Sequence, residues 1–285
     1  SLSPTKRASV LLSGGSSSGS NSSGSGNSAA ESGSSSMILS PRRKFAYRKS
    51  KRDLRPVGLS KIEFQQLSPS HVAEQLVIRE ANMLIAISGR DLLQYANQEA
   101  ETQQRAHLER HTHTHHKVIR AHNQHSKVGK VLAWFNTVSR WCATELVTTP
   151  NPKHRVAVLK RLILMAKHCF KLRAYNTLLE LLAGLNLASV QRLKSTWEAI
   201  PHKFMRTFTQ LDQVMSGASN YHHYRETLDR SPAPVLPYVG LIVKDLTQVS
   251  ELSPAYNDLD YLNVERLRQQ SDIVFDFEEL VRDAS

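Results

Sequence analysis

The chain has 285 residues, a formal net charge of +12, 40% apolar residues and two cysteines. Two cysteines without metal-type spacing exclude a disulfide-framed secreted module and a thiolate zinc fold, and no segment approaches the ~18–20 successive apolar residues of a membrane span. Ten Lys/Arg face only Glu31 and Asp53 in residues 1–56, so eight of the twelve net charges lie there and the charge describes the start of the chain more than the rest.

Residues 13–36 are mostly Ser, Gly, Asn and Ala, too poor in apolar side chains to offset the entropy of ordering them. Residues 1–56 are therefore expected to be a disordered tail, and 57–285 the folded domain. The run Arg42-Arg43-Lys44-Phe45-Ala46-Tyr47-Arg48-Lys49-Ser50-Lys51-Arg52 could meet anionic lipid, nucleic acid or an import receptor, or serve as a solvated basic linker. The apolar stretch Val10-Leu11-Leu12 is too short for a secretory signal. A cytoplasmic location follows, with recruitment to a membrane through the tail or a partner.

After Pro56-Val57-Gly58, Ser68 reads as an N-cap and Pro69 as the first position of a helix carrying Val72, Leu76, Met83, Leu84 and Ile87, ended near Gly89. Residues 97–127 form a polar insertion with seven histidines, read as a loop or an exposed helix. His111, His115 and His116 share one helical face, but a structural zinc site needs four fixed ligands, so no metal is expected.

From Val131 the periodicity sharpens. Val131, Trp134, Phe135, Val138, Trp141, Cys142 and Leu146 make one buried stripe; Thr148-Thr149-Pro150-Asn151-Pro152 breaks the chain. Asn151 as N-cap and Pro152 at the first position begin a second helix with Val156, Leu159, Leu162, Ile163, Ala166, Cys169 and Phe170 inward. A corner at 171–174 leads to a third helix through Leu178, Leu179, Leu182 and Leu185. Cys142 and Cys169 fall on apolar positions and read as core thiols of a reducing compartment. Beyond Thr196-Trp197 and Pro201, a helix carries Phe204, Phe208, Leu211 and Met215 up to Gly217, and Tyr221, Tyr224 and Leu228 mark another. Ser231-Pro232-Ala233-Pro234-Val235-Leu236-Pro237 is stiff and extended, Leu241 to Val249 is apolar, and Leu262 to Val281 has helical spacing. The fold class is all-α. No phosphate-cradling loop, zinc signature or nucleophile elbow is present, so function must lie in a surface, and no cofactor is expected.

Five motifs in this order resemble the catalytic domain of Ras-type guanine-nucleotide exchange factors: Leu67-Ser68-Pro69-Ser70-His71-Val72-Ala73-Glu74-Gln75-Leu76; Phe135-Asn136-Thr137-Val138-Ser139-Arg140-Trp141; Leu182-Ala183-Gly184-Leu185-Asn186 with Arg192-Leu193; Asn220-Tyr221 with Tyr224-Arg225; and Pro234-Val235-Leu236-Pro237-Tyr238-Val239-Gly240 leading to Lys244-Asp245-Leu246-Thr247. The resemblance covers roughly residues 60–280. It implies a multi-helix bowl from which a helical hairpin projects beside the nucleotide pocket of a small GTPase, disturbing its magnesium and phosphate sites without covalent chemistry. By position, the hairpin begins after Pro237. Leu246 and Thr247 match the segment that crowds the magnesium site, Glu251 the acidic residue entering the region a phosphate vacates, and Asn186 the asparagine that holds the hairpin and meets a switch. Leu179, Asn220, Tyr221, Lys244 and Asp245 fall on the GTPase-binding face, while Arg192 and Trp197 read as structural, a guanidinium beside an indole bracing a corner.

Each residue has a plainer reading. Leu179 and Leu246 suit a core, Asn186 a helix C-cap, Glu251 a solvated carboxylate, and Lys244-Asp245 an ordinary exposed pair. The pattern also departs from the family: Glu251-Leu252-Ser253 stands for Glu-Gly-Asn, where leucine disfavours the positive φ that glycine permits, and Ala174-Tyr175-Asn176 for Asn-Phe-Asn. The poorly matched last helix leads to the expectation of a domain incomplete at its C-terminal end. The expected partners are a Ras-like or Rap-like GTPase and an anionic membrane through 42–52, with no nucleic acid. The alternative is an exchange-inactive helical module that binds a GTPase or acts as a scaffold.

Overall fold

The computed structural model describes residues 67–108, 125–256 and 261–282, with the side chains of 105–108 left aside. The tail, the basic run 42–52 and the histidines from 107 to 122 lie outside the described residues or side chains. Among the described residues the regular structure is helical, with two isolated bridges, Ala174 to Leu236 and Tyr256 to Leu262. The domain is all-α, and no described helix is long and apolar enough to cross a membrane.

The described residues form eleven helices in order: α1 Pro69–Ile85, α2 Gly89–Leu108, α3 Lys127–Val147, α4 Pro152–Lys171, α5 Tyr175–Leu185, α6 Ala188–Gln191, α7 Lys194–Glu198, α8 His202–Val214, α9 Ala218–Asp229, α10 Val239–Leu252 and α11 Val264–Val281. Local chemistry explains most boundaries. Asn151 Oδ1 accepts from the amides of Lys153 and His154, and Ser126 Oγ from that of Gly129, so α4 and α3 start on capped donors. Pro69 opens α1, although Ser68 makes no side-chain cap. The end of α4 closes with Arg173 N–H on Phe170 O (3.1 Å) and Ala174 N–H on Cys169 O (2.9 Å), with Arg173 left-handed at φ 57°. That is a Schellman closure with an arginine where glycine is usual.

Two expected boundaries move. Gly89 starts α2 rather than stopping α1: a Cβ there would stand 2.3 Å from Val274 Cγ1, so glycine is required by the approach to α11, and its amide donates to Glu278 Oε1 at 3.0 Å. Helix α8 ends at Val214, and Gly217 instead precedes α9. Of the segment 97–127, residues 97–108 continue α2, with Ala100 and Thr102 buried, and Lys127 begins α3, while 109–124 lie outside the described residues.

Helix α5 is the centre of the core. Nine of its eleven residues are buried, with α3 packed against one side and α4, itself crossed by α1, against another. Gly184 permits the α3–α5 approach, since a Cβ would meet Ser139 O at 2.6 Å and Cys142 Cβ at 2.7 Å. Cys142 and Cys169 are fully buried free thiols, and burial pushes both well above the ordinary thiol value.

The proline-rich segment threads this core. Leu236 O accepts from the amides of Tyr175 (2.9 Å) and Asn176 (3.3 Å), Leu236 N–H donates to Arg173 O (3.1 Å), and Val235 N–H to Leu280 O (2.9 Å). Tyr238 N–H donates to the buried Tyr224 hydroxyl at 2.8 Å. Helix α10 therefore starts from a fixed root and then lies on α2, α11 and α3.

Candidate functional site

Helix α10 sorts its side chains by what covers it. Val239, Leu241, Val243, Leu246 and Val249 are buried, as expected of an apolar stripe, but so are Asp245 and Thr247. Asp245 accepts two bonds from Arg225 Nη2 of α9 at 2.8 and 2.9 Å, with both side chains largely buried. Burial pushes the Asp245 carboxyl upward and the guanidinium opposes that, which is the signature of a charge held inside for its partner. Leu246 is wholly buried, and the Thr247 hydroxyl is buried without a hydrogen-bond partner.

Asp245, Leu246 and Thr247 thus point inward in the structure. Leu246 and Thr247, expected at the magnesium-facing segment, and Asp245, expected on the binding face, are all buried in the free domain, Asp245 against Arg225 of α9. The exposed pair Lys244-Asp245 is likewise split: Lys244 is exposed and Asp245 is not.

Lys244 and Glu251 remain outward on α10. Lys244 Nζ donates to Asn220 Oδ1 of α9 at 2.9 Å. Asn220 sits in an unusual turn: Ser219, Asn220 and Tyr221 have φ of 49°, 55° and 60°, a left-handed stretch of three non-glycine residues. Each such residue costs roughly 1–2 kcal/mol, and the turn is held by Arg225 Nε donating to Asn220 O at 3.0 Å and by the Tyr221 ring against Tyr238 (5.8 Å) and Tyr224 (6.5 Å). The strain leaves Asn220 exposed and Tyr221 half-buried at the edge of α10.

Asn186 is the C-cap of α5, in a right-handed conformation. Its side chain is committed outward of the helix: Nδ2 donates to Asp212 Oδ1 of α8 at 2.6 Å and Oδ1 accepts from Gln191 Nε2 at 3.4 Å. Leu179, two helical turns earlier on the same face, is half-buried against the core.

Trp197 donates from Nε1 to Val190 O at 3.1 Å and packs its ring, tilted by 44°, on Phe208 with centroids 5.0 Å apart. Arg192 does not share that work. Its side chain is exposed, with no hydrogen bond or ion pair among those described, and it does not stand against the Trp197 indole in a described contact.

Glu251 occupies the last turn of α10, exposed, with its carboxyl raised by desolvation. Leu252 continues the helix and Ser253 is extended at φ −122°, so the chain needs no positive φ where the family places glycine. The hairpin end is tied by Arg266 Nη1 to Ser253 O (3.0 Å), Asn263 Nδ2 to Pro254 O (3.1 Å) and Asn263 N–H to Ala255 O (2.9 Å). Leu252, Tyr256, Tyr261, Leu262 and Val264 are exposed there.

Residues that the motif reading did not assign complete the arrangement. Arg225 and Asp212 anchor Asp245 and Asn186, and Asn97 of α2 accepts from Ser250 Oγ (2.8 Å) and Arg266 Nη2 (3.2 Å), joining α2 to both arms of the hairpin. Arg225 stood within a quoted motif; Asn97 and Asp212 carry no signal in a single sequence, being polar residues on polar helix faces. Among the described residues no cluster of His, Cys, Asp and Glu could hold a metal ion.

The RasGEF domain family matches residues 71–268, which run from α1 into α11. The chain is 30% identical over 206 residues to "Ras guanine nucleotide exchange factor M" of Dictyostelium discoideum, covering 72% of this chain and 20% of that protein. It is 40% identical over 141 residues to "Ras guanine nucleotide exchange factor Q" of the same organism, covering 50% of this chain and 11% of that protein. Similarity to human "Rap guanine nucleotide exchange factor 5" is 34% over 139 residues, covering 49% of this chain and 24% of that protein. The match thus spans a quarter or less of these relatives.

Proposed function

The chain belongs to the RasGEF-domain family, and from that premise we propose that it is a guanine-nucleotide exchange factor for a Ras-superfamily small GTPase, Ras-like or Rap-like. The observation that carries this reading is the mounting of α10. Its root is fixed to the α4–α5 corner, its inner face is buried, Lys244 stands outward on Asn220, and Glu251 is exposed in the last turn. The names of the relatives, which include both Ras and Rap exchange factors, support either partner.

In this reading Asn186, Leu179, Asn220, Tyr221 and Lys244 receive the GTPase, and the hairpin enters its switch and magnesium region. Glu251 offers a carboxylate that accepts the hydrogen bonds a phosphate releases and repels the returning anion. Leu246 and Thr247 act from inside, holding α10 at the pitch that aims Glu251. The exchange factor stabilises the nucleotide-free GTPase over the loaded one, and by linkage each ligand weakens the other. A tenfold gain in release needs only about 1.4 kcal/mol of such preference.

The test is release of fluorescent GDP from Ras-like, Rap-like and Ral-like GTPases with micromolar chain present. Acceleration of tenfold or more for at least one is expected, and none for any rejects the activity. A second reading, a module that binds without exchanging, draws on Leu252 extending the helix where the family has glycine; complex formation without faster release is its signature. Contact of segment 42–52 with anionic membrane is part of the same proposal, and binding to phosphatidylserine vesicles should fall steeply with salt and vanish when that segment is deleted.

A further inference from the structure

Helix α5 turns two polar residues and a carboxyl into the core, where α1 meets them with another carboxyl. Asn176, Thr177, Glu180 and Glu80 are all buried to within 1% exposure. Asn176 Nδ2 and Thr177 Oγ1 donate to the two oxygens of Glu80, and the Thr177 backbone amide adds a third donor. Asn176 Nδ2 also donates to Glu180 Oε1 at 3.3 Å.

The groups around this pair are neutral. Helix α4 presents Cys169, whose thiol is pushed upward by burial first and by the Glu80 charge next, while its His168 turns to Glu74 of α1 at 3.1 Å. Helix α3 presents Ser139 and Cys142, bonded to the carbonyls of Glu180 and Leu181, and α10 presents the amide of Val239. The bonds to the two carboxyls come from Asn176, Thr177 and each other.

Two ionised carboxylates in such a place would repel each other undiluted by solvent. Glu180 Oε2 is buried and meets no donor, yet Glu180 lies within hydrogen-bonding reach of Glu80. A proton on Glu180 answers both facts. It donates to Glu80, filling the fourth acceptor site of that carboxylate, and leaves one buried charge instead of two. Burial first and the Glu80 charge second raise the Glu180 carboxyl well above its ordinary range, in agreement with the geometry.

The network ends on the hairpin. With both Nδ2 hydrogens committed to the carboxyls, the Asn176 side chain has a fixed orientation, and its Oδ1 accepts from Val239 N–H at 3.2 Å. Val239 is the first residue of α10, whose opening amides have no partner within the helix.

We propose that Glu80, kept as the single charge of a proton-sharing pair with Glu180, is a positioning residue for the hairpin helix, acting through Asn176 on the first turn of α10. This rests on the exchange reading above. The chain then carries an internal brace, reaching from α1 through α5 to α10, that sets the direction of the exchange hairpin.

The experiment reads Val239 amide hydrogen exchange in the full chain without GTPase, alongside GDP release. Glu80→Gln places an amide nitrogen against groups that donate. The expected result is Val239 exchange at least tenfold faster and kcat for GDP release at least tenfold lower, with KM for the GTPase within twofold because α5, α8 and α9 keep their surface. Glu180→Gln keeps a neutral donor toward Glu80 and is expected to leave Val239 protected. Thr177→Val, which removes one donor to Glu80 with little change of shape, moves both readouts in the same direction by a smaller factor and decides the matter if Glu80→Gln fails to fold. Wild-type protection of Val239 in Glu80→Gln or in its substitute overturns the proposal, as does lost protection in Glu180→Gln, or lost protection with unchanged kcat. If the wild-type chain accelerates GDP release from no GTPase, the exchange reading fails, and Val239 protection still decides whether the brace exists.

Discussion

Asp245 and Glu180 are both buried acids, and their surroundings give them opposite protonation. Asp245 has a guanidinium on two bonds and stays charged; removing one partner of such a pair leaves an uncompensated buried charge. Asp245→Asn is expected to lose about 3–5 kcal/mol of stability in urea unfolding, since Arg225 is then buried alone. Glu180 has only neutral donors and another carboxyl, so its folded value is raised. In the unfolded chain it titrates near 4.3. Its contribution is therefore fully present below that value and is lost as pH rises through the folded one, by about 1.4 kcal/mol per pH unit for one proton. Glu180→Gln removes this slope, so the stability of the variant relative to wild type should climb from pH 5 to pH 7; a constant difference in urea midpoints would reject the assignment. Neither environment was legible in the sequence. Asp245 beside Lys244 reads as an exposed pair, and Glu180 carries no signal of its own, because the partners that define them stand 20 and 100 positions away.

At the scale of elements, local signals performed well wherever the cause was local. Asn151 and Pro152 marked the start of α4, and Asn151→Ala should cost about 1 kcal/mol of thermal stability while leaving GDP release unchanged. Gly184 stood in a motif, but its reason is tertiary: the α3 backbone passes where a Cβ would be. Gly184→Ala should destabilise by about 1–3 kcal/mol, more than any helix-propensity gain from alanine can offset, measurable in the same denaturation series. The left-handed turn at 219–221 gave no sequence warning, since serine and tyrosine rarely adopt it and only the packing of Tyr221 on Tyr238 and Tyr224 sustains it. Gly89 misled for the related reason that a glycine demanded by helix contact looks like one that ends a helix.

For the whole molecule, the proposed activity depends on a hairpin whose root is buried and whose end is exposed. Glu251→Ala is expected to lower kcat for GDP release about tenfold, equivalent to about 1.4 kcal/mol, with GTPase affinity held by Asn186, Asn220 and Lys244. An equal loss in a complex-formation assay would assign Glu251 to binding instead. Among the described residues of that end, Leu252, Tyr256, Tyr261, Leu262 and Val264 are exposed apolar side chains.

By itself the sequence determined the helical class, the three helices from Val131 to Leu185, their caps and breaks, and through the order of its motifs the family. These depend on periodicity and on interactions within four or five positions, which a single chain displays directly. The tertiary structure alone decided which face of α10 looks outward. That helix is apolar enough to be covered from either side, and the choice is made by α2, which meets it through Asn97 and Ser250 across 153 positions, and by α11 closing over it. Burial of Leu246 and Thr247 and exposure of Lys244 and Glu251 go with that packing, while Asp245 is held by Arg225 of α9 and the Val239 amide by Asn176 of α5, contacts across 20 and 63 positions for which no local pattern exists.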